Sequence, residues 1–260
     1  MTQVLRFGLL GQGINYSASP AMMAGAFAAL GLPHTYDIRD VAPADLPAAV
    51  NGLRDADAGG ANVTAPHKAA VAQLMDDITP DAAQADAVNC VVRDGERLVG
   101  HNTDLPALMD ELVLLRPDGL GRVVLLGAGG ASRAVELAVT RLDGALVRVA
   151  RADGSWDRLA DHLASADLVI NATPIGTTAD ESPVPIELLR SDLAVFDLVY
   201  RPSPTRLVRE ARAVGAAARA GGGMLLGQAW RSLELWIGVP APIEAMRDAL
   251  RASVGDSVDA

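Results

Sequence analysis

The feature that most constrains this chain is an alternation. Short apolar runs (RFGLLG, GANVTA, AVNCVV, RVVLLGAGG, ALVRVA, ADLVINAT, AVFDLVY) are separated by alanine-rich stretches that read as helices. Such alternation predicts βαβ units and a mainly parallel sheet, because a parallel neighbour needs a crossover long enough to hold a helix. The chain's 260 residues suffice for one large domain or two of ordinary size. A boundary is expected around Asn102 to Gly121, where the helical PALMDELVLL leads through RPDGLG into a new strand. The glycine-rich AGGGM at 220 to 224 reads as a second crossing point. The expected fold class is therefore α/β with two domains and a ligand cleft between them. An N-terminal α/β domain would span 1–105, completed by C-terminal helices at 226–255; residues 106–225, in which the strand RVVLLG runs through a glycine turn into a helix, would form a Rossmann-like dinucleotide domain. The closing GDSVDA reads as a frayed tail.

A net charge of −10 argues against a nucleic-acid surface, so no nucleic-acid partner is expected. No uninterrupted apolar run approaches about 18 residues, so no membrane partner is expected either. The opening MTQVLRFGLLG carries neither a basic n-region nor a small-residue cleavage site, and a cytoplasmic enzyme is the expectation. The single cysteine, Cys90, lies in AVNCVV and reads as a buried small hydrophobe. His34, His67, His101 and His162 lack metal-ligand spacing with cysteines or carboxylates, so no metal is expected.

In the second half, RVVLLG runs into Gly127, Ala128, Gly129, Gly130, Ala131 and Ser132 and then into the helix-like RAVELAVTRL. A strand, a glycine turn and a helix in that order let the backbone approach a pyrophosphate at a helix N-terminus. The next strand ends at Arg151, whose planar fork suits the 2′-phosphate of NADP. Asp153, two residues on, could take the acidic ribose-binding role of an NAD site instead, so NADP is favoured with NAD as the alternative.

In the first half, SASP (Ser17 to Pro20) reads as a serine N-cap with proline in the first helical turn. The same two hydroxyls beside a helix start also make a seat for a carboxylate. Asn62-Val63-Thr64-Ala65-Pro66-His67-Lys68, Ala87-Val88-Asn89 and His101-Asn102-Thr103-Asp104 each read as following a strand. Their short polar side chains and one cation suit a polyhydroxylated ring, although each could singly be loop capping.

In the order SASP, NVTAPHK, AVN, HNTD, GAGGASRA, NATPIG, DLVYRPSPT and GGGMLLGQA, these motifs resemble the shikimate dehydrogenase family over nearly the whole chain. The resemblance implies a substrate domain and an NADP domain, and reversible hydride transfer between NADP(H) and a ring carbinol carbon in aromatic amino acid and chorismate biosynthesis. Carried over, Ser17 and Ser19 would bind the substrate carboxylate, and Lys68 and Asp104 would be the catalytic pair. Asn62, Thr64, Asn89 and Gln228 would hold ring hydroxyls, with Tyr200 lining the pocket. Gly127 to Ser132 and Arg151 would hold the cofactor phosphates, and Leu198 and Gly221 would flank the nicotinamide.

Independently of the family, a nearby ammonium can stabilise and protonate the alkoxide that forms when hydride reaches a ketone, and Lys68 is the obvious donor. The chain departs from the family at Met23 for histidine, Cys90 for threonine and Leu105 for glycine, the last adding bulk beside Asp104. Ala150-Arg151-Ala152 stands for Asn-Arg-Thr, and Ser155 for a second basic residue, which predicts a modest NADP grip. The partner is expected to be a shikimate-like ring carboxylate, and the enzyme a monomer or homodimer. A quinate or related cyclitol-acid dehydrogenase using NAD is the nearest rival. A non-catalytic dinucleotide sensor is the alternative from another class; its mark would be a broken Lys and Asp pair, and both residues are present.

Overall fold

The computed structural model describes residues 3–254, and the GDSVDA tail lies outside the described residues. The chain forms two compact units, one of residues up to Asp104 together with Leu226–Ser253, the other chiefly Leu105–Leu225.

The first unit contains β1 (Arg6–Gly11), α1 (Ser19–Ala29), β2 (Thr35–Asp40), α2 (Leu46–Asn51), β3 (Ala58–Val63), α3 (Lys68–Ala72), β4 (Asp77–Ile78), α4 (Pro80–Ala85), β5 (Cys90–Asp94) and β6 (Arg97–His101). Its strands order as β2-β1-β3-β5-β6-β4. β1 runs parallel to β2 and β3, but β5 is antiparallel to both β3 and β6. β4 runs parallel to β6, so the sheet is mainly parallel as expected, with β5 as its one reversed strand. The cause is local: Asp94 pairs with Arg97 across a two-residue turn in which Gly95 takes φ +63°. Glycine at the first of the two loop positions, Gly95-Glu96, suits a tight hairpin, because glycine reaches positive φ without a Cβ clash.

α5 (Asp104–Leu115) leads into the second unit, which contains β7 (Arg122–Leu126), α6 (Gly130–Arg141), β8 (Ala145–Val149), α7 (Leu159–Leu163), β9 (Leu168–Asn171), β10 (Ala194–Asp197), α8 (Arg206–Ala213) and β11 (Ala218–Ala220). The order is β11-β10-β9-β7-β8, and every pairing is parallel. Successive residues of β7 feed two different cores, Val124 and Leu126 one, Val123 and Leu125 the other. A strand covered on both faces reads as a continuous apolar run, which is why RVVLL does not alternate with polar residues. Each fully buried leucine here contributes about 1.5–3 kcal/mol.

α9 (Gly222–Ile237) and α10 (Ile243–Val254) close the chain. In AGGGM, Ala220 ends β11, Gly221 follows it and Gly222 opens α9, and the two units part at Leu225 and Leu226, shortly after this expected crossing point. In the first unit Trp236 of α9 donates its indole N–H to the Val91 carbonyl at 3.0 Å and packs its ring 4.9 Å from Phe7.

Candidate active site

The antiparallel turn of β5 assembles the first polar cluster. Parallel strands present their C-terminal ends to one side of a sheet, and a strand reversed between them presents its beginning there. Cys90, the first residue of β5, is registered with Asn62 near the end of β3 and with His101 at the end of β6. The AVN motif therefore precedes its strand rather than following it, and still arrives beside the other two.

Asn89 is buried and holds Thr103 twice: its amide donates to the Thr103 hydroxyl at 2.9 Å, and its carbonyl oxygen accepts from the Thr103 N–H at 2.7 Å. Asn62 is more fully engaged. Its amide donates to the Asn89 carbonyl at 3.1 Å and to Ser232 Oγ at 2.8 Å, while its oxygen accepts from the Tyr36 hydroxyl at 2.9 Å. Ser232, one helical turn after Gln228, donates to the Gln228 carbonyl at 2.9 Å and lies 3.2 Å from the Thr103 hydroxyl. Burial raises the Tyr36 phenol far above its ordinary value, so it acts here as a neutral donor. Burial likewise pushes the Cys90 thiol up to about 12, and the residue is a packed thiol, not a thiolate.

Beside this network, Lys68 opens α3 and Asp104 opens α5, and Lys68 Nζ donates to Asp104 Oδ2 at 2.6 Å. The lysine side chain is 34% exposed and the aspartate 13%, so the pair is reached from one side while its carboxylate is largely sheltered. Two contacts fix the lysine's backbone. Buried His67 sets its Nε2 2.7 Å from the Val41 carbonyl, and the Val88 N–H donates to the Lys68 carbonyl at 2.9 Å.

The serine pair differs from its sequence reading. α1 begins at Ser19 with Ala18 at the N-cap position and no side-chain cap, so neither serine is the N-cap and Pro20 still falls in the first turn. Ser17 Oγ instead accepts the Ser19 N–H at 3.2 Å and donates to Ser19 Oγ at 3.2 Å, which draws the two hydroxyls together. Thr64 is half-buried just past β3, and Gln228 is buried on α9. Met23 and Leu105 are both fully buried, so the bulk expected of Leu105 beside Asp104 is taken up in the core of the second unit.

In the second unit the glycine turn sits between β7 and α6. Gly127 has φ +120°, a conformation that L side chains avoid. Gly129 precedes the helix in extended conformation with no side-chain cap, so the first N–H groups of α6 lack a side-chain acceptor there. A Cβ on Gly129 or Gly130 would meet nothing within 4 Å, which leaves a cradle beside those N–H groups that side chains would fill. Ala128 and Ala131 lie along the same turn, Ala131 exposed, and Ser132 is 1% exposed with its hydroxyl unpartnered. An open cradle, helix-start N–H groups and an orphaned hydroxyl fit a dinucleotide diphosphate.

Past β8, Arg151 begins a 3₁₀ turn, Arg151–Asp153, and its guanidinium lies 5.1 Å from the centre of the Trp156 ring. Asp153 accepts from the Ser155 hydroxyl and from the Ser155 N–H, the latter at 3.0 Å. At the ends of β10 and β11, a Cβ on Gly221 would lie 2.2 Å from the Leu198 carbonyl oxygen, so only glycine allows that approach. Tyr200 is half-buried two residues beyond Leu198 and belongs to this second unit. Beneath them, buried Asp197 accepts from Asn171 at 2.9 Å, from the Val199 N–H at 3.0 Å and from the Thr205 hydroxyl at 2.7 Å.

Thr103, Ser232, Tyr36, Trp156 and Asp197 escaped the sequence reading. Thr103 was inside a quoted motif, and Ser232 lies four residues after Gln228 on one helix face, so both had a usable signal. Asp197 opens the quoted motif DLVYRPSPT, whereas Tyr36 and Trp156 had no signal beyond residue type. Among the described residues no group of three or more His, Cys, Asp or Glu could hold a metal ion, and no helix is long and apolar enough to cross a membrane.

Comparison with known proteins bears on the same regions. Residues 9–91 match the model of the shikimate dehydrogenase substrate binding domain, and residues 221–251 that of the shikimate 5′-dehydrogenase C-terminal domain. The NADP(+) shikimate dehydrogenase of Symbiobacterium thermophilum is 39% identical, covering 95% of this chain and 94% of its own. The crystal structure of the shikimate 5-dehydrogenase from Thermus thermophilus with NADP(H) and shikimate superposes with a TM-score of 0.84 at 35% identity, covering 96% of this chain and all of that one. The quinate dehydrogenase of Corynebacterium glutamicum in complex with NAD gives 0.83 at 29% identity, over 96% of this chain and 100% of that one. An α/β chain with a Rossmann-like parallel sheet, similar along nearly its whole length to these enzymes, belongs to the shikimate dehydrogenase family.

Proposed function

We propose that the protein is an NADP-dependent shikimate dehydrogenase, an oxidoreductase acting on a CH–OH group that reversibly reduces 3-dehydroshikimate to shikimate. The observation that carries the reading is the Lys68 and Asp104 pair at 2.6 Å beside a cluster of buried hydrogen-bonding side chains. Ser17 and Ser19 would receive the ring carboxylate. Thr64, Asn89 and Gln228 would meet the ring hydroxyls, with Tyr200 at the pocket wall, and Asn62, whose amide is already engaged, would hold Asn89 and Ser232 in place. Gly127 to Ser132 would seat the cofactor diphosphate, Arg151 the 2′-phosphate, and Leu198 and Gly221 the nicotinamide.

Bound NADPH supplies the hydride. The protein supplies the proton and the field: the Lys68 ammonium stabilises the developing alkoxide and donates its proton to that oxygen. The lysine is left as a neutral amine and regains its proton from water, while Asp104 at hydrogen-bond distance orients it. In the oxidative direction the amine takes the hydroxyl proton. The reading includes residues 1–105 with 226–255 as the substrate domain, 106–225 as the NADP domain, and a cytoplasmic step in chorismate-directed aromatic amino acid biosynthesis.

The test is absorbance at the reduced-nicotinamide band with shikimate or quinate, each with NADP or NAD. Fastest turnover of shikimate with NADP is expected. Preference for quinate with NAD would place the protein with the catabolic enzymes instead, and no turnover in any of the four would overturn the reading.

A further inference from the structure

We infer that Trp156 sets the preference for the phosphorylated cofactor by holding the Arg151 guanidinium in place, the task that a second basic residue would otherwise share. The inference rests on the reading of Arg151 as the 2′-phosphate anchor.

Three observations carry it. First, Arg151 is exposed, and among the described residues its guanidinium has no hydrogen-bonding partner; its contact is the face of half-buried Trp156 at 5.1 Å. A long cationic side chain without such a contact samples many rotamers, and ordering it on binding opposes affinity. An indole face removes part of that freedom while leaving the N–H fork open to an anion, since cation–π attraction uses the flat of the guanidinium and not its edge.

Second, Arg151 and Trp156 line a cavity of about 660 Å³ that also holds Asp157, Glu181, Glu187 and Glu210. Its other cation, Arg206, is paired with Glu210 at 2.6 Å. Arg151 is therefore the cation of this cavity that no carboxylate neutralises, and an anion entering beside Asp157, Glu181 and Glu187 depends on it. Third, the acidic residue that could serve an unphosphorylated ribose is engaged elsewhere. Asp153 accepts twice from Ser155, whose hydroxyl also accepts the Ala150 N–H at 2.8 Å, so the turn closes on itself. These bonds hold the Asp153 carboxyl below its usual range. The substitution of serine for a basic residue at 155 thus removes one phosphate contact and locks away the NAD-type carboxylate, while its neighbour Trp156 steadies the remaining arginine.

The test is calorimetric titration of the purified full-length protein with NADP⁺, with NAD⁺ and with adenosine 2′,5′-bisphosphate, for the wild type, Trp156→Ala, Trp156→Phe and Arg151→Ala. Trp156→Ala is expected to weaken NADP⁺ and the bisphosphate about two- to fivefold, with NAD⁺ unchanged, and Trp156→Phe to recover at least half of the loss. Equal weakening of NADP⁺ and NAD⁺, or no change in either, would overturn the inference. Arg151→Ala separates it from its premise. If that variant keeps the NADP⁺ to NAD⁺ ratio, Arg151 is not the phosphate anchor and both readings fall. If it abolishes the ratio while Trp156→Ala does not, the anchor stands and the role of Trp156 is wrong.

Discussion

The two units gather polar groups at strand ends by opposite means. In the first, side chains do the work: Tyr36, Asn62, Asn89, Thr103 and Ser232 satisfy one another in a buried chain of hydrogen bonds, with Lys68 and Asp104 at its margin. In the second, the backbone does it: the glycine turn before α6 leaves N–H groups and open space, and only Ser132 adds an unpartnered hydroxyl. A side-chain site is rigid because every partner is specified, and each substitution leaves a buried group unsatisfied. A backbone site tolerates changes in identity so long as no Cβ intrudes. The first should therefore fail through loss of chemistry or of folding, the second through loss of ligand with the fold intact.

The sharpest way to break the first half is Lys68→Ala, expected to lower kcat by about a hundredfold or more in stopped-flow or steady-state assays with the melting curve unchanged. Near-normal turnover would remove Lys68 from the mechanism. Asp197 tests whether the second unit also contains a costly buried group. Burial pushes its carboxyl up from 3.8 to about 6, against three donors that favour the charge. The folded state then keeps a proton that the unfolded chain has released. Stability associated with this group is therefore full below about pH 4, falls as pH rises to about 6, and is flat above, a loss of up to roughly 3 kcal/mol. Denaturant titrations of the wild type and Asp197→Asn across pH 4 to 8 should show that slope in the wild type alone.

Asn89→Ala comes next, at about 2 kcal/mol of stability, because it strands the buried Thr103 N–H and leaves the Thr103 hydroxyl with Ser232 alone. A fully stable variant would show that water replaces the amide and that the network is looser than its geometry. The smallest effect, and the cleanest contrast, is Gly130→Ala. With nothing within 4 Å of its Cβ and an ordinary helical φ, it should change stability by less than about 0.5 kcal/mol yet weaken NADP⁺ severalfold by occupying the cradle.

Much of this was legible in the sequence because it was local. The β7, glycine turn and α6 series needs only a short consecutive stretch, and Lys68 and Asp104 stood out as charges inside otherwise neutral polar motifs. The rest was not legible because it depends on register and distance. No local pattern announces that Asn62 will meet Ser232, 170 residues away, or that reversing β5 brings Asn89 to the ends of β3 and β6. The misplaced cap has a local cause: Ser17 and Ser19 are two apart, so the first hydroxyl captures the N–H of the second before a helix cap can form. Leu105 and Met23 stood out as departures from the family, Leu105 as bulk beside Asp104, but α5 and α1 bury both side chains.

The saturated amide of Asn62 has a consequence for how such a protein can change. With Tyr36, Asn89 and Ser232 all leaning on one side chain, that position is frozen by its neighbours rather than by any ligand. On the proposed reading, new substrate preferences would have to be written at the rim, in Ser17, Thr64 and the approach to Lys68, where a replacement disturbs few partners. The interior asparagine sets the grammar of the site, and the rim supplies its vocabulary.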